Sequence, residues 1–295
     1  MSWPQVRILP GALSVEALLE MAHAGNRDER PLEIHQGKTS AIDVSESVIA
    51  RLRAAGCVFA EDEAALLVEA AVTPEQLEAL VMRRVAGEPL EVIVGWAEFC
   101  GLRIVVEPGV FVPRYRTQFL VQLALRLARP DSVVVDLCCG TGAMAAAVHA
   151  ALPTADVYAA DLDPAEVRCA RRNLPPARVF EGDLYDALPT GLRGRVDILM
   201  VNAPYVPTDE IRMMPTEARD HEALVALDGG SDGLDIQRRV AAEARQWLAS
   251  GGHLLIETSV RQSPATRAAF EAAGLVTSVE HSDDYDSTVV IGRRS

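Results

Sequence analysis

The hydrophobic pattern along the chain changes its period twice. Between residues 44 and 88, apolar residues recur every three or four positions, as they do on one face of an amphipathic helix. Residues 89–112 carry short apolar runs on either side of a turn near Gly101, which predict a β-hairpin with strands at 90–94 and 104–106. Beyond this hairpin, compact apolar runs alternate with helical segments, a pattern typical of βαβ units and a parallel sheet. The sequence therefore predicts an α/β protein with a small helical module before its sheet.

Three helices are expected in the helical module. The first ends before Gly56, and the third begins with Thr73 as N-cap and Pro74 at its first helical position. A module of this size has a small core, so we expect it to pack against the larger domain. The sequence leaves open whether it recognises a partner or serves as a structural lid.

Residues 1–43 show no regular pattern. Glu16 and Glu20 interrupt the apolar stretch that would otherwise resemble a secretory segment, so no signal peptide is predicted. Residues 25–39 are mostly polar. We expect this segment to be a poorly structured N-terminal arm.

Polar residues stand at the ends of four successive predicted parallel strands. The first strand, 133–137, runs into the turn 138–142, and the next three end at Asp161, Asp183 and Asn202. Because ligands in open α/β sheets bind at the carboxyl ends of the strands, we expect these residues to form one site. The small residues of the turn let the backbone approach a ligand, and the helix that follows favours an anionic group at its N-terminus.

The stretch Asn202-Ala203-Pro204-Tyr205 directly follows the fourth of these strands. It resembles the Asn-Pro-Pro-Tyr motif of S-adenosylmethionine-dependent methyltransferases that methylate planar amide or amino nitrogens. An amide nitrogen is a weak nucleophile, because its lone pair is delocalised into the carbonyl. The Asn202 side-chain oxygen and the carbonyl of residue 203 would accept its two N–H groups and favour a pyramidal nitrogen, with the Tyr205 ring against its flat face.

Ala203 stands where that motif has its first proline. It retains the carbonyl that the chemistry needs but loses the fixed φ of proline. Pro204 still favours extended geometry at residue 203. The substitution therefore weakens the match in rigidity more than in chemistry.

A wider resemblance covers roughly residues 44–293. The helical module, the hairpin, the segment Pro108–Arg114 and the sheet together resemble the HemK/PrmC family of protein glutamine methyltransferases. The turn after Asp136 resembles the Asp-Leu-Gly-x-Gly-x-Gly loop of class I methyltransferases, and Gly230–Leu234 resembles the Gly-x-Asp-Gly-Leu signature of the family. The resemblance implies a Rossmann-like, seven-stranded class I methyltransferase domain over residues 113–295. The chain departs from the family pattern at Cys138, Ala203, Tyr115 and Gln118, where the family has glycine, proline, proline and an acid.

The resemblance implies S-adenosylmethionine as the cofactor. Asp161 stands about 25 residues after Asp136, near the spacing at which an acid meets ribose hydroxyls in dinucleotide folds, and Asp183 would contact the adenine amino group. The implied cofactor-binding residues are Asp136, Cys138, Gly140, Thr141, Gly142, Asp161, Leu162, Gly182, Asp183, Leu184 and Asn202. The implied catalytic residues are Asn202, Ala203, Pro204 and Tyr205, and the substrate is expected to contact Asn202, Tyr205, Phe111, Pro113 and Arg114.

Charge and composition narrow the function classes. A net charge of −14 and a pI near 4.9 argue against non-specific binding to nucleic acid. The five cysteines contain no Cys-x-x-Cys pair, which fits a reducing cytosol and no structural zinc. We expect a cytoplasmic protein with neither a metal nor a membrane partner.

The resemblance also implies the methyl acceptor, a glutamine side-chain amide in the Gly-Gly-Gln loop of a peptide chain release factor. Three alternatives stay open. They are a divergent N-methyltransferase acting on a small molecule, one acting on adenine in nucleic acid, and a non-catalytic cofactor-binding interaction protein. The lack of a long Arg/Lys stripe speaks against the adenine alternative, and an unusually closed apolar pocket would favour the small molecule. The sequence leaves the oligomeric state open.

Overall fold

The computed structural model describes residues 40–295, without the side chains of residues 40–45 and 216. The N-terminal arm expected over residues 1–43 lies outside the described residues, except for its last four, which begin the first helix.

Three helices form a small bundle at the beginning of the described chain. Their apolar faces meet in a core that includes Leu52, Leu67 and Val81, all fully buried. The helices are α1 (Ser40–Ala54), α2 (Ala60–Ala70) and α3 (Pro74–Val85).

The predicted start of α3 is confirmed. The Thr73 side chain accepts a hydrogen bond from the Gln76 N–H at 3.2 Å, and Pro74 takes the first helical position. Thr73 thereby satisfies one of the backbone donors that the first turn of a helix leaves unpaired.

The predicted strand at 90–94 is wrong, because these residues form a short helix, α4 (Leu90–Val94). Leu90 and Ile93 stand three positions apart, and both pack into the core of the bundle. Gly95, at a φ of +81°, ends the helix in the left-handed conformation and donates its N–H to the Glu91 carbonyl at 2.8 Å. Burial of one helical face therefore outweighs the β-propensity of valine and isoleucine.

The predicted hairpin is confirmed, although it begins later than expected. Strands β1 (Trp96–Phe99) and β2 (Leu102–Val105) pair antiparallel, with Trp96 opposite Val105. The chain then passes through a 3₁₀ turn, Tyr115–Thr117, into α5 (Gln118–Leu127).

A seven-stranded sheet forms the centre of the larger domain, as predicted. The strands are β3 (Val133–Leu137), β4 (Asp156–Asp161), β5 (Val179–Glu181), β6 (Val196–Val201), β7 (Leu248–Thr258), β8 (Val276–Ser282) and β9 (Ser287–Arg293). Their order is β5-β4-β3-β6-β7-β9-β8, with parallel pairing from β5 to β7 and antiparallel pairing of β9 with both neighbours.

Helices pack on both faces of this sheet. Val134 of β3 contributes to the core beneath α5 and the next two helices, whereas Val135 contributes to the core on the opposite face. Trp247 lies in the second core and stacks on Tyr185, with ring centroids 5.5 Å apart. The remaining helices are α6 (Ala143–Ala151), α7 (Pro164–Asn173), α8 (Thr216–His221), α9 (Asp235–Trp247) and α10 (Ser263–Ala272).

The register of the parallel strands aligns their carboxyl ends. Leu137, the last residue of β3, pairs with Ala160 of β4 on one side and with Val201 of β6 on the other. The chain segments that follow these three strands therefore begin at the same edge of the sheet.

The turn after β3 places a side chain where backbone geometry favours glycine. Cys138 has a φ of +56°, and Gly140 and Gly142 follow at +54° and +75°. A positive φ costs a residue with a Cβ atom roughly 1–2 kcal/mol. Cys138, one of the departures from the class I methyltransferase loop, is therefore a strained position.

Replacing Cys138 by glycine is expected to raise the free energy of unfolding by about 0.5–1 kcal/mol, because the relieved strain exceeds the extra chain entropy that glycine loses. Cys139 is the matched control, since it is buried and its φ is not positive. The Cys139→Gly variant should lose stability. Denaturant unfolding measures both changes, and a loss of stability in Cys138→Gly equal to that in Cys139→Gly would contradict the strain.

Candidate active site

A cavity of about 920 Å³ lies at the carboxyl edge of the parallel strands. The helical bundle, the turn after β3 and the segments that follow β4 and β6 form its walls. Most of the predicted site residues line it, namely Phe111, Pro113, Arg114, Cys138, Gly140, Thr141, Asp161, Leu162, Asp183, Leu184, Asn202, Ala203, Pro204 and Tyr205. Residues far apart in the sequence therefore meet in one cavity.

Three residues predicted to bind the cofactor, Asp136, Gly142 and Gly182, do not line the cavity. Asp136 is fully buried beneath the turn, where its Oδ2 accepts the Ala145 N–H at 3.1 Å. A Cβ on Gly142 would come within 2.9 Å of a Leu174 methyl group, and one on Gly182 within 3.1 Å of Ala187. These three residues therefore lie behind the cavity wall, and their contact with the cofactor stays a prediction.

Thr117 fixes the orientation of the Asn202 side chain. The Asn202 Nδ2 group donates a hydrogen bond to Thr117 Oγ1 at 3.2 Å. Thr117 is itself buried, on the turn that precedes α5. Because the NH₂ end of the Asn202 amide is engaged, its Oδ1 acceptor is the end that remains for a ligand.

Glu257 holds Tyr205 and Arg116 together. Both donate to Glu257 Oε1, Tyr205 through its hydroxyl at 3.3 Å and Arg116 through Nε at 3.0 Å. The Arg116 guanidinium lies 5.6 Å from the centre of the Tyr205 ring. Burial raises the pKa of the Tyr205 hydroxyl well above its usual value, so this group stays neutral and serves as a donor.

Three residues of the site, Arg116, Thr117 and Glu257, were not predicted from the sequence. Glu257 stands near the carboxyl end of β7, which is parallel to β6. The rule that pointed to Asp161 and Asn202, a polar residue at the end of a parallel strand, would have found it. Arg116 and Thr117 carry no comparable signal, because their partners lie far away in the sequence.

The Gly-x-Asp-Gly-Leu stretch and the glycine before it, Gly229, support the backbone of Pro204 and Tyr205. A Cβ on Gly233 would come within 2.2 Å of the Tyr205 carbonyl oxygen, and one on Gly229 within 2.7 Å of the Pro204 carbonyl oxygen. Gln262 Nε2 donates to the same Tyr205 carbonyl at 3.0 Å. Glycine is needed here because the two loops approach backbone to backbone.

Two buried glutamate side chains anchor the segment from Phe111 to Arg114. The Phe111 N–H donates to Glu166 Oε1 at 2.6 Å, and the Val112 N–H donates to Glu222 Oε1 at 3.3 Å. Arg114 donates to both oxygens of Glu222, at 2.5 and 2.7 Å. Arg114 thus stabilises the cavity wall through Glu222, and its contact with a substrate stays a prediction.

The acidic residues after β4 and β5 are also fixed. Asp161 accepts the Gly140 N–H at 2.9 Å and the Asp163 N–H at 3.0 Å, and Asp183 pairs with Arg239 at 2.7 Å. Burial raises the pKa of Asp161. A carboxylate can accept about four hydrogen bonds, so both acids keep acceptor capacity for hydroxyl or amino groups. Together with the small-residue turn, these acceptors fit a cofactor that contains a nucleoside.

Arg84 links the helical bundle to the segment beyond Tyr205. It is 9% exposed and donates to Glu63 at 2.5 Å and to Glu217 at 2.6 Å. Glu63 lies on α2 of the bundle, whereas Glu217 lies on α8. The three side chains join two walls of the cavity.

Within residues 40–295, no cluster of three or more potential metal-binding side chains is present. Nor does any helix in this range combine the length and the apolar composition needed to cross a bilayer.

Comparisons with known proteins agree with this geometry. A family model described as a methyltransferase domain matches residues 134–223. A release factor glutamine methyltransferase from Geobacter sulfurreducens is 38% identical over 230 residues, which cover 76% of this chain and 80% of that protein. One from Mycolicibacterium smegmatis is 39% identical over 214 residues, covering 70% and 75%. A 4-amino-L-phenylalanine/4-methylamino-L-phenylalanine methyltransferase from Streptomyces pristinaespiralis is 38% identical over 210 residues, covering 68% and 71%.

A solved structure shares the fold. The crystal structure of a methyltransferase from Pyrococcus furiosus matches with a TM-score of 0.51 and 16% identity, covering 74% of this chain and 98% of that one. The predicted Rossmann-like class I methyltransferase fold is thereby confirmed. Identity over most of both chains also confirms the resemblance that the motifs indicated, and the chain belongs to the family of release factor glutamine methyltransferases.

Proposed function

We propose that this protein methylates the side-chain amide nitrogen of a glutamine in a protein, and that this glutamine lies in the Gly-Gly-Gln loop of a peptide chain release factor. The orientation of Asn202 carries the proposal. Thr117 engages the amide NH₂ and leaves Oδ1 as a fixed acceptor at the cavity wall. The names of the relatives from Geobacter sulfurreducens and Mycolicibacterium smegmatis support the same acceptor.

The cofactor of this family is S-adenosylmethionine, which supplies an electrophilic methyl group on its sulfonium when bound. We propose that Asp161 and Asp183 accept hydrogen bonds from its nucleoside, as acids at strand ends do in related folds. The turn 138–142 and the N-terminus of α6 suit its carboxylate. Leu162 and Leu184 supply apolar surface on the same wall.

Position, rather than a base, activates the acceptor amide. Asn202 Oδ1 and the Ala203 carbonyl accept its two N–H groups, which favours a pyramidal nitrogen with a localised lone pair. The Tyr205 ring packs against the flat face of the amide, and the bond to Glu257 limits its rotation. The nitrogen carries a positive charge once it has accepted the methyl group, and it then loses a proton readily. A side-chain base is therefore not required.

We further propose that the protein acts in the cytoplasm on a protein partner. The net charge of −14 disfavours non-specific contact with the phosphates of nucleic acids. Residues 113–295 would form the catalytic domain. The helical module of residues 44–88 and the linker 89–112 would close one side of the cavity.

A small aromatic amine is the second candidate acceptor. Tyr115, which replaces a proline of the family pattern, stacks on Tyr285 with ring centroids 5.0 Å apart. Both residues line the cavity. An aromatic wall suits an aromatic substrate, and the relative from Streptomyces pristinaespiralis is named for such an amine.

Incubation with S-adenosylmethionine and a release factor is expected to transfer one methyl group to the glutamine of the Gly-Gly-Gln peptide and to leave S-adenosylhomocysteine. Mass spectrometry of that peptide detects the added methyl group. The control is the same release factor with this glutamine replaced by asparagine, whose amide is one methylene shorter and should stay unmodified. 4-Aminophenylalanine is tested in parallel. Methylation of the amine without methylation of the glutamine would favour the second candidate.

Replacing Asn202 by alanine is expected to lower the rate of methyl transfer about 100- to 1000-fold, because one of two fixed acceptors for the amide is lost. Affinity for S-adenosylhomocysteine should fall much less than the rate, because several other residues also bind the cofactor. The Thr117→Val variant keeps the Asn202 side chain but removes the bond that orients it, so its loss of rate should be smaller. Methyl transfer by Asn202→Ala at the wild-type rate would refute the assignment.

A further inference from the structure

Glu166 is a buried side chain with one unpartnered oxygen. It lies on the first turn of α7, is 2% exposed and lines the cavity. Oε1 accepts the Phe111 N–H at 2.6 Å. Oε2 is buried as well but has no hydrogen-bond partner in the part of the chain that the structure describes. A buried polar atom without a hydrogen-bond partner costs free energy, and a ligand that donates a hydrogen bond to this oxygen would remove that cost.

The unpartnered oxygen lies beside the turn that follows β3. An ideal Cβ on Gly140 would be 3.6 Å from Glu166 Oε2. Gly140 lines the cavity, and the turn leads directly into α6. Oε2 is therefore next to the turn that suits the carboxylate of the cofactor.

The charged groups that face Glu166 are acidic. Asp161 at the end of β4, Asp163 at the N-cap of α7 and Glu222 after α8 all act on it. The Cys139 thiol faces it from the turn after β3. Burial, reinforced by the three carboxylates, raises the pKa of Glu166 to about 8. A bound cation would meet complementary charge here.

We propose that Glu166 Oε2 binds the α-ammonium group of the methionine part of S-adenosylmethionine. The α-carboxylate of the same methionine suits the N-terminus of α6, so two neighbouring elements meet the two charges of the amino acid. The inference rests on the cofactor of the family and is independent of the identity of the methyl acceptor.

Ammonium binding at Glu166 is linked to proton release. In the free protein the pKa of about 8 keeps most of this carboxyl protonated at neutral pH. The ammonium group favours the ionised form, so the carboxyl loses its proton when the ligand binds. Affinity should therefore rise about tenfold per pH unit between roughly pH 6 and pH 7, and the rise should level off near the pKa of the free carboxyl.

The test is calorimetry of S-adenosylhomocysteine, which retains the ammonium group but has no methyl group to donate. Titrations in two buffers of different ionisation enthalpy, at about pH 6.5, count the protons exchanged. The wild type is expected to release close to one proton per ligand, and Glu166→Gln none. The variant should bind S-adenosylhomocysteine about 10- to 100-fold more weakly near pH 8, where ionisation of the free wild-type carboxyl no longer costs much binding free energy.

Methylthioadenosine, which lacks the amino acid, is the ligand control. It should bind wild type and Glu166→Gln equally and release no proton. Release of as many protons with methylthioadenosine as with S-adenosylhomocysteine would overturn the proposal. This comparison of two ligands uses only the wild type, so it tests the proposal even if Glu166→Gln does not fold.

Glu222 is the matched control residue. It too is buried and accepts a backbone N–H, but Arg114 already neutralises it. The Glu222→Gln variant removes one of the three charges that raise the pKa of Glu166, but burial is the largest cause, so this variant is expected to retain most of the proton release. Equal release by Glu166→Gln and the wild type would refute the role of Glu166. No methyl acceptor is present in these titrations, so their outcome is separate from that of the proposed function.

Discussion

The site depends on one constraint: the carboxyl ends of the parallel strands are aligned at the same edge of the sheet. Leu137 pairs with both Ala160 and Val201, so three strands end at the same edge of the sheet. Side chains alternate between the faces of a strand, and a slip of one residue would turn Asp161 or Asn202 away from the cavity. The aliphatic residues that bury the strands therefore also place the polar residues that follow them.

Side chains from other elements then hold the loops in place. Glu166 and Glu222 hold consecutive amides of one segment, and Gly233 allows a second segment to lie against the backbone of Tyr205. Fixed loops suit a reaction in which the enzyme acts by positioning the substrate amide. An oxygen that accepts an N–H group favours the pyramidal nitrogen only if that oxygen is held in one place. The cavity is built mostly from backbone geometry secured by buried carboxylates and amides.

The sequence predicted the sheet and most of the cavity wall, because both depend on local features: an apolar run and the polar residue that ends it. It failed at Leu90–Val94, where packing on a bundle decides between helix and strand. It gave no signal for Thr117, which acts through a partner distant in the sequence. Glu257 was missed although it stands near the end of a parallel strand, where a polar residue is a local signal. Asp136 fits the loop pattern but supports the turn from below, a distinction that only three-dimensional packing reveals.

Arg84 links the helical bundle to the methyltransferase domain beside the cavity. Its guanidinium is buried between a carboxylate of the bundle and Glu217, whose side chain is 42% exposed. The outer of these two ion pairs meets water and is the weaker, so it can open while the inner pair with Glu63 holds. The link between the bundle and α8 would therefore weaken as the ionic strength rises, since salt screens the exposed pair more than the buried one.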